Sequence, residues 1–301
     1  MGNKGLVKVY VIMFFAILFW GFSFIWTKEA LRVYRPITVI FFRLVLSVVL
    51  LFVLGKMFSL LEIPRREDWK RFVLVAFWEP FAYFLGENFG LTHVTSTTAA
   101  VIIATIPLFS PVASYYVNGE RISGKNVIGI LISIVGVGLV VMKDNFSLKG
   151  DWIGIGLMFW AVFSAVFYSV FVLDLSKRYS VYTIISFQNL IGAVMFLPLF
   201  LIFDFKQVLS VGFRWEAIYP IINLSVFAST LAFMAFTYGI KHLGVTKANV
   251  LSNLIPIFTA IFSYFILGER FTWFNILGIL LVVSGVILGQ SGTKEEVVVE
   301  Y

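Results

Sequence analysis

The chain has 301 residues, 60% of them hydrophobic and 13% charged, with a mean hydropathy of +0.97; a soluble domain of this length would have no polar surface to present to water. The formal charge of +7 invites a nucleic-acid partner, but the basic residues flank apolar runs instead of forming a patch. With no cysteine, disulfides, thiolate metal sites and cysteine nucleophiles are excluded.

Apolar runs of about 18–24 residues, each able to cross a hydrocarbon core of roughly 30 Å, recur along the whole chain. Ten transmembrane helices are predicted, near 8–27, 36–55, 71–91, 97–117, 125–142, 152–173, 181–203, 215–240, 246–267 and 272–290. The first is too long and too aromatic for a signal peptide, and no small-residue cleavage site follows it. The fold class is therefore an all-α polytopic membrane protein. Of the lysines and arginines, 14 fall on the side of the N-terminus, 8 on the other side and Arg43 inside a span. The Arg65–Arg71 cluster supplies most of the excess, which predicts both termini in the cytoplasm and a cell-membrane location. Trp69, Trp152, Trp215 and Trp273 stand at helix starts, where interfacial tryptophan belongs.

The second half repeats the first. Gly90–Val141 aligns without a gap on Gly239–Gln290: His93 on His242, Pro107 on Pro256, Gly119–Glu120–Arg121 on Gly268–Glu269–Arg270, Asn126 on Asn275, and Gly129 and Gly136 on Gly278 and Gly285. Weaker matches upstream, Phe19–Trp20 on Phe159–Trp160 and Phe42–Arg43 on Phe187–Gln188, extend the unit to five helices. The two repeats are 8–142 and 151–290, joined by the polar linker 143–150 and followed by a short polar cytoplasmic tail, 291–301. Five is odd, so the second repeat must enter from the opposite side, which makes the halves inverted as in many secondary transporters.

Ionisable residues within spans are few and demand a partner or a wet cavity. Arg43 lies roughly 10 Å below the surface opposite the N-terminus, Glu87 roughly 6 Å and Glu79 roughly 18 Å, at about 1.5 Å per residue. Arg43 is closer in level to Glu87, so an Arg43–Glu87 pair ordering the second and third helices stands beside substrate contact by Arg43. Glu79, beside Pro80 near the midplane, suits proton coupling or recognition of an amine. Its rival role is a protonated glutamate bonded to a carbonyl freed by the proline. Gln188 aligns with Arg43, and Asn189 follows it. Asn223, Asn249, Asn253 and Tyr238 add polar groups on the eighth and ninth spans, although buried amides often only tie helices together. Trp20, Trp78, Tyr83 and Trp160 could wall a cavity. Pro107 and Pro256 are hinge candidates or static kinks. His93 and His242 fall at helix ends on opposite sides and cannot share a metal. The two Gly-Glu-Arg joints are expected to fix turns by local ion pairing. The glycine faces of the fifth and tenth helices suit close packing, or a homodimer through those helices.

At LFWGFSFIWTKEAL (18–31), at Arg43 and at the two blocks carrying Gly-Glu-Arg, the chain resembles the drug/metabolite transporter superfamily, in its ten-helix EamA branch. The resemblance spans 8–290 in family order. It implies a helical basket whose central cavity is lined by the first four helices of each half, with the fifth helices outside. It also implies export or exchange of small organic solutes such as amino acids, purines, aromatic compounds, polyamines or sugars, without a cofactor. Glu79–Pro80 and Glu87–Asn88 make the third helix more polar than is usual for the family. No catalytic or metal-binding constellation appears, since HExxH, paired membrane aspartates and a P-loop are all missing. An enzyme and an ATP-driven pump are thus disfavoured, and no ring of like charges suggests a channel. A secondary transporter of a small metabolite, with protons as a second partner, is the expectation. A non-transporting scaffold and an uncoupled carrier are its alternatives.

Overall fold

The structure is a computed structural model, and it describes residues 3–109, 123–141, 152–239, 242, 251 and 253–291. The described elements are helices: α1 Asn3–Leu31, α2 Pro36–Met57, α3 over 69–93, α4 Ser96–Phe109, α5 Gly124–Val141, α6 Trp152–Ser176, α7 Val181–Val211, α8 Trp215–Gly239, α9 Ile255–Leu267 and α10 Trp273–Gln290. Of these, α1, α2, α6, α7 and α8 are long and apolar enough to cross a membrane unaided. The linker 143–150, the first Gly-Glu-Arg joint, Asn249 and the tail from 292 lie outside the described residues.

The inversion is visible in the contacts. Helices α5 and α10 run antiparallel with glycine against glycine: a Cβ on Gly129 would stand 2.4 Å from the Gly285 carbonyl oxygen, and one on Gly136 would stand 2.7 Å from that of Gly278. Gly129 and Gly136 of one half therefore meet Gly285 and Gly278 of the other within one chain. Ser133 Oγ donates to Val282 O at 3.3 Å across the same seam. The outward faces of the pair, with Leu131, Ile134, Leu277 and Leu280 exposed, are apolar as lipid contact requires.

One face of the bundle gathers the end of α1, the starts of α2 and α4, the ends of α3, α7 and α9, and the start of α6, where Gly154 packs on His93. This is the far face; the face on which α1 begins is the N-terminal face. A pair of tyrosines related by the repeat, Tyr34 and Tyr179, ties the halves together at opposite faces. On the far face the Tyr34 hydroxyl donates to Gly212 O at 2.8 Å and accepts from Arg214 N at 3.3 Å. On the N-terminal face the Tyr179 hydroxyl donates to Asp68 Oδ2 at 2.8 Å and accepts from Arg65 N at 2.9 Å. Both faces carry a buried carboxylate beside the tyrosine: on the far face Asp204 accepts from Thr38 N and Oγ1 at 3.0 and 2.9 Å and stands 3.9 Å from Arg35, and on the N-terminal face Asp68 takes that place. Asp68 also binds Arg71 and, at 3.4 Å, Arg178, and both arginines reach Asp174. The hydrogen bond from Tyr179, aided by the two arginines, holds the buried Asp68 carboxyl below the usual carboxylate range despite its desolvation.

The helices of the core are interrupted at matching places. The third helix of each half contains a π-helical stretch, Phe77–Ala82 in α3 and Leu224–Ala232 in α8, and the fourth of each half breaks just before its proline. Ala104–Thr105 forms a turn before Pro107, and Asn253–Leu254 forms one before Pro256. A proline lacks the N–H that would close the preceding turn.

Candidate functional site

Between α2, α3, α7 and α8 the structure buries a polar cluster in an otherwise apolar core. Arg43, 2% exposed, projects from α2. Its Nε donates to Ser229 Oγ at 2.5 Å, its Nη1 stands 3.8 Å from Glu87 Oε2, and its guanidinium carbon lies 4.1 Å over the Phe84 ring. The pairing with Glu87 is thus a loose ion pair, and Arg43 Nη1 makes no hydrogen bond. Glu87 is held from below by the Tyr83 hydroxyl at 3.1 Å and approached by Asn88 Nδ2 at 3.5 Å, whose own amide oxygen is unpartnered. Tyr83 and Glu87 are four residues apart, so the helical repeat puts them on one face.

The opposite wall is hydroxyl-rich. The π-helical stretch of α8 shifts the backbone register, so Thr230 Oγ1 bonds Ser225 O five residues back at 2.8 Å and the Ser229 carbonyl is free to accept from Asn189 Nδ2 at 3.3 Å. Asn189 Nδ2 also donates to Ser47 Oγ at 2.9 Å, and Ser47 exchanges a 2.8 Å bond with Thr230 Oγ1. The sequence reading missed Ser47, Ser229 and Thr230. Hydroxyl residues in an apolar run carry no spacing signal, and only the fold brings them to Arg43.

Glu79 lies in the middle of α3, 6% exposed, at a backbone break with φ −146° and ψ 120° and a cis bond to Pro80. Helix α7 passes close by, where a Cβ on Gly192 would come within 2.3 Å of the Pro80 ring. Arg43 and Glu87 are within electrostatic reach of Glu79. Among the described residues its carboxylate accepts no hydrogen bond and has no ion pair. Gln188 accepts from the Tyr168 hydroxyl at 3.2 Å, and Tyr168 is in turn within reach of Glu79. Trp78 stacks on Phe167 at 4.6 Å with its indole N–H unpartnered, whereas the Trp160 N–H bonds Ala82 O at 3.0 Å.

The structure thus brings Arg43, Glu87, Tyr83 and Asn189 together, with Glu79 and Gln188 at the edge of the cluster. Other expected cavity residues lie apart. Trp20 packs on Phe233 and Phe236; Tyr238 packs on His242, whose Nδ1 is 2.8 Å from Tyr238 O. Asn223 is buried in α8 among helix contacts, and Asn253, 3% exposed in the α9 break, has both amide atoms unpartnered. Arg43, Glu87, Tyr83, Asn189, Glu79 and Gln188 are all buried.

One expectation is corrected. Glu269 of the second Gly-Glu-Arg joint does not ion-pair locally but caps α4 of the other half. It accepts from Ser96 N at 2.8 Å, Thr97 Oγ1 at 2.7 Å and Thr97 N at 3.4 Å. The first amides of a helix have no partner within it, so a carboxylate is drawn to them from 172 residues away.

The comparisons agree with this architecture. A chain described as an uncharacterized transporter from Archaeoglobus fulgidus is 27% identical over 289 residues, covering 93% of this chain and 96% of its own length. The uncharacterized transporter YoaV of Bacillus subtilis is 21% identical, covering 94% and 97%. A solved crystal structure superposes with a TM-score of 0.67 at 17% identity over 94% of this chain and 96% of its own, which supports the fold alone. The model of the EamA-like transporter family matches residues 7–142 and again 152–289, and with both five-helix repeats accounted for, the chain belongs to the EamA-like transporter family.

Proposed function

We propose that the protein is a secondary active exporter or exchanger of small zwitterionic metabolites, amino acids foremost, working by alternating access and coupled to protons through Glu79. The observation that carries this is the charge arrangement in the cluster. A buried guanidinium keeps one nitrogen without a hydrogen bond, and among the described residues a second buried carboxylate, Glu79, has neither a hydrogen bond nor an ion pair. Buried donors left without acceptors cost about 1–3 kcal/mol each, and a carboxylate at membrane depth needs a positive companion. A carboxylate on Arg43 Nη1 and an ammonium near Glu79 supply both at once; a proton on Glu79 replaces the ammonium when the substrate leaves. Asn88 Oδ1 offers a further acceptor. The N-terminal face, closed by the Asp68 network, is assigned to the cytoplasm of a cell-membrane protein with both termini inside. Pro107 and Pro256 are assigned as the hinges about which the halves rock.

The test is a charge series in proteoliposome counterflow: leucine, its amide, which keeps only the cation, and its 2-oxo acid, which keeps only the anion. Leucine is expected to exchange at least about tenfold faster than either, the factor that follows from losing ~1.4 kcal/mol of a paired charge. Equal rates for all three, or exchange of the amide alone, would contradict recognition of a zwitterion.

A further inference from the structure

The charge of the Trp26-Thr-Lys-Glu-Ala-Leu31 segment is not used by the central cluster, and it opens onto a second feature. On the far face, a recess of ≈ 420 Å³ lies between the end of α1, the end of α3, the start of α4 and the joint after α9. That volume is within the range of small-ligand sites. Its charged walls are Lys28, half-buried, Arg32, exposed, and Glu269. Neither the Lys28 ammonium nor the Arg32 guanidinium forms a salt bridge or side-chain hydrogen bond among the described residues, although Glu269 is within electrostatic reach of Lys28 and Glu29 of Arg32. Glu269 offsets Lys28 only in part, because both its oxygens are engaged by the α4 amides and Thr97 at the positive end of that helix. The recess therefore presents two cations with hydrogen-bond donors to spare. Its floor is Leu91, fully buried, one helical turn beyond Glu87 on the same face of α3. At about 1.5 Å per residue, that turn amounts to roughly 6 Å.

We infer that this recess is a second binding site, selective for the carboxylate of a small organic acid or amino acid and held by Lys28 and Arg32. It stands separated from the central cluster by the Leu91 side chain. A solute leaving Arg43 toward the far face would meet it next, but the site does not depend on the central cluster binding a zwitterion. Lipid phosphate shares the anionic oxygens. The assignment to a solute carboxylate rests on the recess lying between helices instead of on their lipid-facing side.

Saturation-transfer NMR on the full chain in phosphatidylcholine nanodiscs tests it, with benzoate as the probe and benzamide as its uncharged match. Benzoate is expected to bind and benzamide not. Lys28→Gln/Arg32→Gln is expected to weaken benzoate about tenfold or more, while Lys28→Arg retains it. The paired Arg43→Leu/Glu87→Leu variant, which removes the central guanidinium without stranding its carboxylate, is expected to bind benzoate as the wild type does. Equal binding of benzamide, or loss of benzoate binding only in the Arg43→Leu/Glu87→Leu variant, overturns the assignment. So does displacement of benzoate when phosphatidylglycerol replaces phosphatidylcholine, which would make the recess a lipid-headgroup site.

Discussion

Arg43→Leu is expected to destabilise the protein by about 3–5 kcal/mol, and Arg43→Leu/Glu87→Leu to recover most of that loss without recovering transport. The single change leaves Glu87 buried, 5% exposed, with only Tyr83 and a long contact from Asn88 to stabilise its charge. It also strips Ser229 of its 2.5 Å donor and Phe84 of its cation. Removing both charges leaves an apolar pair of similar bulk in a helical core, where such replacements are close to neutral. Transport distinguishes the roles. A residue that only orders α2 against α3 would be dispensable once its partner is gone, whereas a substrate-binding guanidinium would not be. Unfolding in detergent and counterflow on the same three preparations give both readouts. Full activity in the double variant would assign Arg43 to structure alone.

The second large effect falls on the seam between the halves. Gly129→Ala places a methyl group 2.4 Å from the Gly285 carbonyl oxygen and 2.8 Å from Gly289, both of them backbone. No side chain can rotate out of the way, so α5 and α10 must part, at a cost of about 1–3 kcal/mol for overpacking. Gly285→Ala meets Ser133 Oγ at 2.5 Å and Gly129 O at 2.7 Å and is expected to behave alike. Gly138→Ala, also in α5, meets nothing within 4 Å and is expected to leave the melting temperature unchanged or slightly raised, since alanine favours helix. Equal melting temperatures for the Gly129→Ala and Gly138→Ala variants would contradict the packing.

The fold was legible because it rests on two coarse signals. Apolar runs mark spans, and the gapless match of Gly90–Val141 to Gly239–Gln290 with an odd helix count requires inversion. The structure bears this out in the antiparallel packing of α5 on α10. Depth was legible as well: counting 1.5 Å per residue places Arg43 level with Glu87, and the two stand 3.8 Å apart. The rest was not local. Ser229 and Thr230 reach the cluster through a π-helical shift that no sequence pattern specifies, and Glu269 serves a helix start in the other half. The Tyr34–Tyr179 correspondence was present in the repeat at the same offset as Thr38 and Thr183. Only the structure shows each hydroxyl bridging to the other half, with a buried carboxylate beside each tie, Asp204 on the far face and Asp68 on the N-terminal face.

The proposed mechanism turns on Glu79, a buried carboxylate without a bonded partner among the described residues. The direct measurement is leucine flux in proteoliposomes with and without an imposed pH gradient, for the wild type and for Glu79→Gln. The gradient is expected to accelerate wild-type flux about tenfold or more and to leave the variant at its ungraded rate, while leucine counterflow, which needs no net proton movement, persists in the variant. Gradient-driven flux that survives Glu79→Gln would contradict coupling through this residue.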